Sequence, residues 1–401
     1  MHPAARLKGT RSRHLAGRRI VLGVSGSIAA VEAVRVAHEL IRHGADVIPV
    51  MTPAATTIIT PLALEYATGR APVVHLSGRG EHVEWMDGPQ RADLLLLAPA
   101  TANTLAKVAL GIDDTVLTTF ASVALGSGVP IVVAPAMHEV MERNRAVQAR
   151  LKDLAEMGVT LVAPRIEESK AKLATPEDIV ETVIHRLARG PWVGKRVLVV
   201  SGSTAEPVDP VRVLTNRSSG RMGVELATAA HRAGADVTLW NAWGLVPLPT
   251  YATIERFQTV KDAMHLAQNG SVSKFDAIFV PAALSDFAPK AVTQKLSSDE
   301  KPRPLELEVL PKVIRTLRRR APNAVLVAFK AESDAKRLLA RAAERRKDYG
   351  AHLVVANTAD AFGAERSQAW IVGDGRPKRV AGSKADIARR ILEAAARHLG
   401  R

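Results

Sequence analysis

One pattern occurs twice along this 401-residue sequence: an apolar strand, a turn of glycine and serine, a helix, a capping glycine and another apolar strand. In the first copy, residues 18–25 run Arg-Arg-Ile-Val-Leu-Gly-Val-Ser and end in Ser25-Gly26-Ser27. Ala30, Val34, Ala37 and Ile41 then recur at helical spacing, Gly44 suits a left-handed cap, and Ala45–Met51 opens the next strand. The second copy reads Arg-Val-Leu-Val-Val-Ser-Gly-Ser over 196–203, a helix from Gly223 to Ala233, Gly234, and a strand from Asp236 to Trp240. Strand, helix and strand in alternation is the pattern of a parallel sheet with helical crossovers. The chain therefore reads as α/β, with two doubly wound, Rossmann-like domains and mainly parallel sheets. Further strands are expected at 94–98, 130–134, 159–163, 277–281, 324–329 and 352–356, and a last helix from Lys384 to His398. Thr175-Pro176-Glu177-Asp178 opens a helix over 176–188, and Arg189-Gly190-Pro191-Trp192 breaks the pattern. The boundary falls there, giving domains 18–189 and 190–401 behind an arm of residues 1–17.

Composition narrows the class. Hydrophobic residues make up 47% and charged residues 24%, the balance of a globular protein with a core. No apolar run is long enough to cross a bilayer, so no membrane partner and a cytoplasmic location are expected. The N-terminal arm carries Arg6, Lys8, Arg11, Arg13, Arg18 and Arg19 with no acid and no apolar signal core, and reads as disordered. With no cysteine in the sequence, disulfides and thiolate metal sites are excluded, and any reacting thiol must come from a substrate. The net charge of +15 raises nucleic-acid binding. The cations are spread along the chain beside acids, as in Glu393–Arg397 and Glu344–Lys347–Asp348, and aromatic platforms are lacking. Phosphorylated small ligands suit that distribution better than nucleic acid.

Four segments carry candidate chemistry. Ser25-Gly26-Ser27-Ile28-Ala29-Ala30 joins a strand to a helix, where backbone N–H groups and hydroxyls suit a phosphate. Ala98-Pro99-Ala100-Thr101-Ala102-Asn103-Thr104 repeats that geometry, and Thr101 or Asn103 serves equally as an N-cap or as a ligand contact. Ala134-Pro135-Ala136-Met137-His138 follows a third strand. In the second half, Pro207 and Pro210 forbid a regular helix through the long loop after Ser203, and Ser218-Ser219-Gly220 leads into a helix N-terminus. A loop of that length between strand and helix points to function.

Over residues 18–188, Gly-Val-Ser-Gly-Ser-Ile-Ala-Ala, Met51-Thr52-Pro53-Ala54-Ala55, Ala-Pro-Ala-Thr-Ala-Asn-Thr and Ala-Pro-Ala-Met resemble, in this order, the flavin-containing cysteine decarboxylases. The resemblance implies a flavodoxin-like domain with FMN at Ser25, Gly26, Ser27, Thr52, Thr101, Asn103 and Thr104. It implies His82, in Glu81-His82-Val83-Glu84-Trp85, as the catalytic histidine, and leaves His75 a loop residue. Met137 and His138 stand where that family carries Met-Asn, whose amide grips the substrate carboxylate; an imidazole also donates to a carboxylate. The family's flap cysteine is absent. Glu168-Ser169-Lys170-Ala171-Lys172 is similar to an archaeal branch with Lys-Ala-Lys there, which makes Lys170 or Lys172 a phosphate ligand or proton carrier, against the alternative of a solvated basic loop. The implied reaction is decarboxylation of 4′-phosphopantothenoylcysteine, eased by transient oxidation of its thiol to a thioaldehyde with the flavin as electron reservoir. A flavin prenyltransferase-like unit shares the fold and FMN site but fits less well with His82 and Pro-Ala-Met. A noncatalytic regulatory flavoprotein is the alternative from another class.

From residue 195 onward the run Thr204-Ala-Glu-Pro-Val-Asp-Pro-Val-Arg212-Val-Leu-Thr-Asn216-Arg-Ser-Ser-Gly220-Arg-Met-Gly223 closely resembles the phosphopantothenate–cysteine ligases. Pro281-Ala-Ala-Leu-Ser-Asp286-Phe287, Gln294-Lys295-Leu296-Ser297-Ser298, Ala328-Phe329-Lys330-Ala331-Glu332-Ser333 and Val355-Ala356-Asn357 follow in the family's order. The resemblance implies an acyl-nucleotidylate route from 4′-phosphopantothenate, cysteine and CTP or ATP with Mg²⁺. Lys295 would neutralise the triphosphate, and Arg212 and Asn216 would bind the acyl intermediate. Asp286 would sit at the nucleotide or its Mg²⁺. Ser203, Ser218, Ser219, Gly220, Val280, Pro281, Ala282 and Phe329 would contact the nucleotide. The family's second lysine of Lys-Ile-Lys is Ser297 here, and its Lys-x-x-x-Lys pair becomes Arg345 and Tyr349, so one charge is lost or passed to Lys347. The resemblance also implies a homo-oligomer, a dodecamer of trimers and dimers.

Overall fold

The computed structural model describes residues 2–167, 170–296, 304–332, 334–358 and 366–400. Its contacts divide the chain into compact units Met1–Ala188 and Arg189–Arg401, each with its own core.

In the first unit, β1 (Arg19–Val24), β2 (Asp46–Met51), β3 (Leu94–Ala100), β4 (Ile131–Pro135) and β5 (Thr160–Leu161) form a parallel sheet of order β2-β1-β3-β4-β5. The strands are almost wholly buried because helices cover both faces. Ile20, Leu22 and Leu96 face one helical layer, and Val21, Leu95 and Leu97 face the other. In this strand order the chain reverses direction of winding between β1 and β3, the point where a doubly wound sheet opens a crevice. A short antiparallel hairpin, β6 (Arg165–Glu167) with β7 (Lys170–Lys172), follows the sheet.

The N-terminal segment departs from its expected disorder. Pro3–Leu7 is helical, Leu15 is fully buried, and Lys8 and Arg18 pair with Asp46 and Asp93 at 2.6 Å each. Arg11 pairs with buried Glu39. Acids far away in sequence neutralise the basic run, and one leucine anchors it; local composition reveals neither.

In the second unit, β8 (Arg196–Ser201) begins a sheet that is extended after the short antiparallel pair β9 (Ala205–Pro207) and β10 (Val213–Thr215). Strands β11 (Asp236–Asn241), β12 (Thr253–Arg256) and β13 (Ala277–Val280) come next, then a second short pair, β14 (Phe287–Pro289) and β15 (Leu307–Val309). The sheet is completed by β16 (Val325–Glu332), β17 (Leu353–Thr358), β18 (Arg366–Val372) and β19 (Lys378–Ser383), in the order β12-β11-β8-β13-β16-β17-β18-β19. Its first six members are parallel and follow the dinucleotide-binding order, while β18 and β19 run antiparallel at one edge. Those edge strands and the two small pairs went unread in the sequence, since none carries a long apolar run. Here the winding reverses between β8 and β13. At Gly223 an added Cβ would lie 2.0 Å from Ser201 Oγ, so only glycine lets the helix Arg221–Arg232 start this close to the end of β8.

Candidate active sites

At the carboxyl edge of the first unit, Ser25 joins β1 to β3. Its hydroxyl donates to Pro99 O at 2.8 Å and accepts from Thr101 N at 2.9 Å, and the residue is buried. The one proton of this hydroxyl is thus engaged within the protein, and Ser25 shapes the site rather than offering a free donor to it. Gly26 packs against the helix Pro53–Thr56, where a Cβ would fall 2.5 Å from Ala54 Cβ. Ser27, Thr52 and Thr101 each cap a helix N-terminus, opening Ile28–Glu32, Pro53–Thr56 and Ala102–Leu110. Thr104 is buried with its hydroxyl 3.0 Å from that of Thr101, and Asn103 is exposed. The crevice therefore combines helix N-termini and hydroxyls with exposed Ile28 and Val31. Polar donors for a phosphate beside an apolar surface for a ring fit a flavin mononucleotide.

His82 lies on the helix Glu81–Met86, which packs against Val116–Ser127, and the neighbouring Met86 carbonyl accepts from Ser127 Oγ at 2.8 Å. The ring is half-buried, and its Nδ1 is buried with no hydrogen-bond partner among the described residues. A buried imidazole nitrogen without a hydrogen bond is uncommon in a folded chain. The hydrogen bonds that tie Ser25, Pro99 and Thr101 together do not include it. His75 is exposed.

His138 caps the helix Glu139–Glu142, with Nδ1 accepting from Val140 N at 3.4 Å. In the neutral ring that arrangement leaves the proton on Nε2, so the exposed edge is a donor. Asparagine is among the best N-caps and also ends in a donor. His138→Asn is thus expected to keep the cap and to preserve or raise decarboxylation; a dead variant in a CO₂-release assay would give the imidazole chemistry of its own. Met137 is half-buried against the core beside it. Lys170 and Lys172 fall on β7, and their side chains, like Glu168 and Ser169, lie outside the described residues.

In the second unit a cavity of about 480 Å³ opens at the β8/β13 reversal. It brings together Asn216, Ser218, Ser219, Val280, Pro281, Ala282, Asp286, Phe329, Arg345 and Tyr349 on its wall. Ser203 is buried beneath it instead: its hydroxyl lies 3.1 Å from that of Thr215 and receives Asn216 N at 3.1 Å, fastening the loop. Asn216 Nδ2 donates to Ala283 O at 3.1 Å, bridging the two strand ends. Gly220 precedes the helix in a left-handed conformation, off the wall. Phe329 forms part of the floor rather than closed core.

The charges differ from expectation. Asp286 is ion-paired with Lys312, which also lines the cavity. Arg345 sits 5.8 Å from the Tyr349 ring centroid and 3.0 Å from Asp348. Lys347 is exposed and off the wall, so it does not replace the lost charge; Lys312 and Lys330 supply cations from other elements. Lys295 is exposed and off the wall too, with Ser297 and Ser298 outside the described residues. Its segment is held by Asp209, whose buried carboxylate accepts from Val211 N, Arg212 N and Leu296 N at 2.8, 2.7 and 3.2 Å. Arg212 closes the knot by donating to Asp209 at 3.0 Å and Leu296 O at 3.1 Å. Burial opposes ionisation of Asp209, yet these donors hold its carboxyl below the usual range. The structure therefore joins Arg212 to the Lys295 segment through a residue given no role in the sequence reading. Groups of three or more potential metal-ligating side chains are absent among the described residues, and no described helix is long and apolar enough to cross a membrane.

Residues 8–188 match the Flavoprotein family, and residues 192–399 match the DNA/pantothenate metabolism flavoprotein C-terminal domain. A coenzyme A biosynthesis bifunctional protein CoaBC from Thermococcus kodakarensis is 41% identical over 98% of this chain and 98% of its own length. That of Methanocaldococcus jannaschii is 38% identical over 98% of this chain and 97% of its own. Among solved structures, the FMN binding protein AtHal3 aligns at 28% identity over 41% of this chain and 94% of its own, with a TM-score of 0.36.

Proposed function

This chain belongs to the family of bifunctional coenzyme A biosynthesis proteins, and from that premise we propose that its second unit joins cysteine to 4′-phosphopantothenate and its first decarboxylates the product to 4′-phosphopantetheine. The observation that carries the ligase assignment is the cavity at the β8/β13 reversal, where an aromatic floor, the Ser218-Ser219 pair and several cations meet. In the first step a substrate carboxylate oxygen bonds to the α-phosphorus as the α–β phosphoanhydride breaks and pyrophosphate leaves. In the second, the cysteine amine bonds to the acyl carbon, loses a proton, and expels the nucleoside monophosphate. Negative charge grows on phosphate and carbonyl oxygens in both, so oriented donors and cations suffice and no covalent nucleophile is required. Ser218 and Ser219 suit the phosphates, Phe329 and Tyr349 the base, and Asn216 with Arg212 the acyl intermediate. Mg²⁺ would ride on the triphosphate with few protein ligands, as magnesium commonly does. CTP and ATP both fit this chemistry.

In the first unit Ser27, Thr52, Thr101, Asn103 and Thr104 would hold FMN, with Ser25 and Gly26 shaping the crevice. When bound, the flavin supplies a two-electron reservoir that makes the carboxylate a leaving group. His82 would move the thiol-side proton, and His138 Nε2–H would orient the carboxylate. Lys170 and Lys172 remain assigned to the substrate phosphate or the final proton. The protein would act in the cytoplasm as a homo-oligomer, a dodecamer of trimers and dimers by resemblance. The ligase reading is tested by steady-state pyrophosphate release, which should require both cysteine and 4′-phosphopantothenate; sustained multiple-turnover release with either omitted would contradict it.

A further inference from the structure

The ligase-unit cavity carries one group of charges that the scheme above leaves unused. Arg221 and Lys384 both line it, from the starts of the helices Arg221–Arg232 and Lys384–Ala396. Those helices pack along one another. The two cations feel each other: burial first, then Arg221, holds the Lys384 ammonium below its usual range. Glu225, one turn beyond Arg221, is off the cavity wall. Burial raises its carboxyl above the usual range, against Arg232, Arg221 and Lys384. Two of these cations, Arg221 and Lys384, are turned to the cavity.

The surroundings separate this group from the other cations. Met222, Phe329, Ala369 and Ile387 line the cavity beside it and belong to the core on one face of the sheet. Leu284, Val313, Ile314 and Tyr349, near Lys312 and Arg345, belong to the core on the opposite face. The cavity therefore has two cationic walls across the sheet edge. Like charges held together at a half-buried wall are stabilised by an anion placed between them, and tetrahedral phosphate oxygens accept from both ammonium and guanidinium.

We infer that Arg221 and Lys384 form a second anion subsite of this cavity, facing the wall that carries Lys312 and Arg345, and that it takes a phosphate group of a ligase substrate. The inference rests on the ligase reading. That phosphate comes either from the nucleotide or from 4′-phosphopantothenate, and the pair acts by binding and positioning it.

The test uses the full-length chain with Lys384→Gln, Lys384→Arg and Arg221→Gln. Removing one charged donor should weaken the phosphate-bearing substrate roughly tenfold to a hundredfold, read as a raised KM with a smaller change in kcat. A rise for the nucleotide alone assigns its phosphates; a rise for 4′-phosphopantothenate alone assigns the other source; both support the subsite. Lys384→Arg should recover most of the loss, which a merely structural role would not predict. Should either glutamine variant fail to fold, the other and Lys384→Arg carry the comparison. Unchanged KM values for both substrates in folded glutamine variants overturn the inference. Calorimetric titration with inorganic pyrophosphate runs alongside and needs no turnover. If the wild-type chain binds pyrophosphate but does not ligate, the assigned reaction fails and the subsite stands or falls on whether Lys384→Gln weakens that binding.

Discussion

Replacing His82 by asparagine should stop CO₂ release from 4′-phosphopantothenoylcysteine while the yellow chromophore stays bound. A positioned proton-transfer group contributes about 10²–10⁴ in rate, and asparagine keeps polarity and approximate size without a titrating nitrogen. The expectation is grounded in the ring itself, which is half-buried with an Nδ1 that lacks a partner among the described residues. A buried nitrogen without a hydrogen bond destabilises a fold unless something else satisfies it. Flavin binding and the folded state should persist in the variant as activity disappears. Loss of turnover in a folded, flavin-loaded variant separates a functional histidine from a structural one. Retained turnover would remove His82 from its role.

Lys295→Gln should suppress acyl-nucleotidylate formation by about 10²–10³ and leave decarboxylation of supplied 4′-phosphopantothenoylcysteine unchanged. The knot of Asp209, Arg212 and Leu296 fixes the backbone beside Lys295 while the lysine stays exposed, so its loss removes a charge without disturbing a core. Unchanged nucleotidylate formation would discard the assignment, and equal loss of both activities would point to misfolding instead. Measuring the nucleotidylate directly, rather than the final amide, isolates the step at which triphosphate charge is neutralised.

The doubly wound, mainly parallel architecture and the two crevices were legible because they rest on local signals. Strand, Gly-Ser turn, helix and capping glycine recur at Ser25-Gly26 and Ser201-Gly202, and both reversals of winding fall at these turns. Hydroxyl roles were less legible. Ser25 and Ser203 look like ligand donors in the sequence, yet each turns its hydroxyl inward, Ser25 to join two loops far apart in the chain and Ser203 to fasten its own loop. The charges around the ligase cavity were least legible. Lys312, Lys330, Arg221 and Lys384 come from separate elements and converge only when the sheet forms. Lys347, nearer in sequence to the altered pair, points elsewhere because a helix separates residues two positions apart onto different faces. The basic N-terminal segment failed for a related reason: its partners Asp46, Glu39 and Asp93 are tertiary neighbours.

One chain is expected to perform ligation and decarboxylation in sequence. The direct measurement is mass spectrometry of a reaction holding the purified, flavin-loaded protein, 4′-phosphopantothenate, cysteine, Mg²⁺ and either CTP or ATP. The account predicts 4′-phosphopantetheine with pyrophosphate and the nucleoside monophosphate, and 4′-phosphopantothenoylcysteine accumulating in the His82→Asn protein. Absence of both thiol products with either nucleotide, from a folded and flavin-loaded chain, would contradict it.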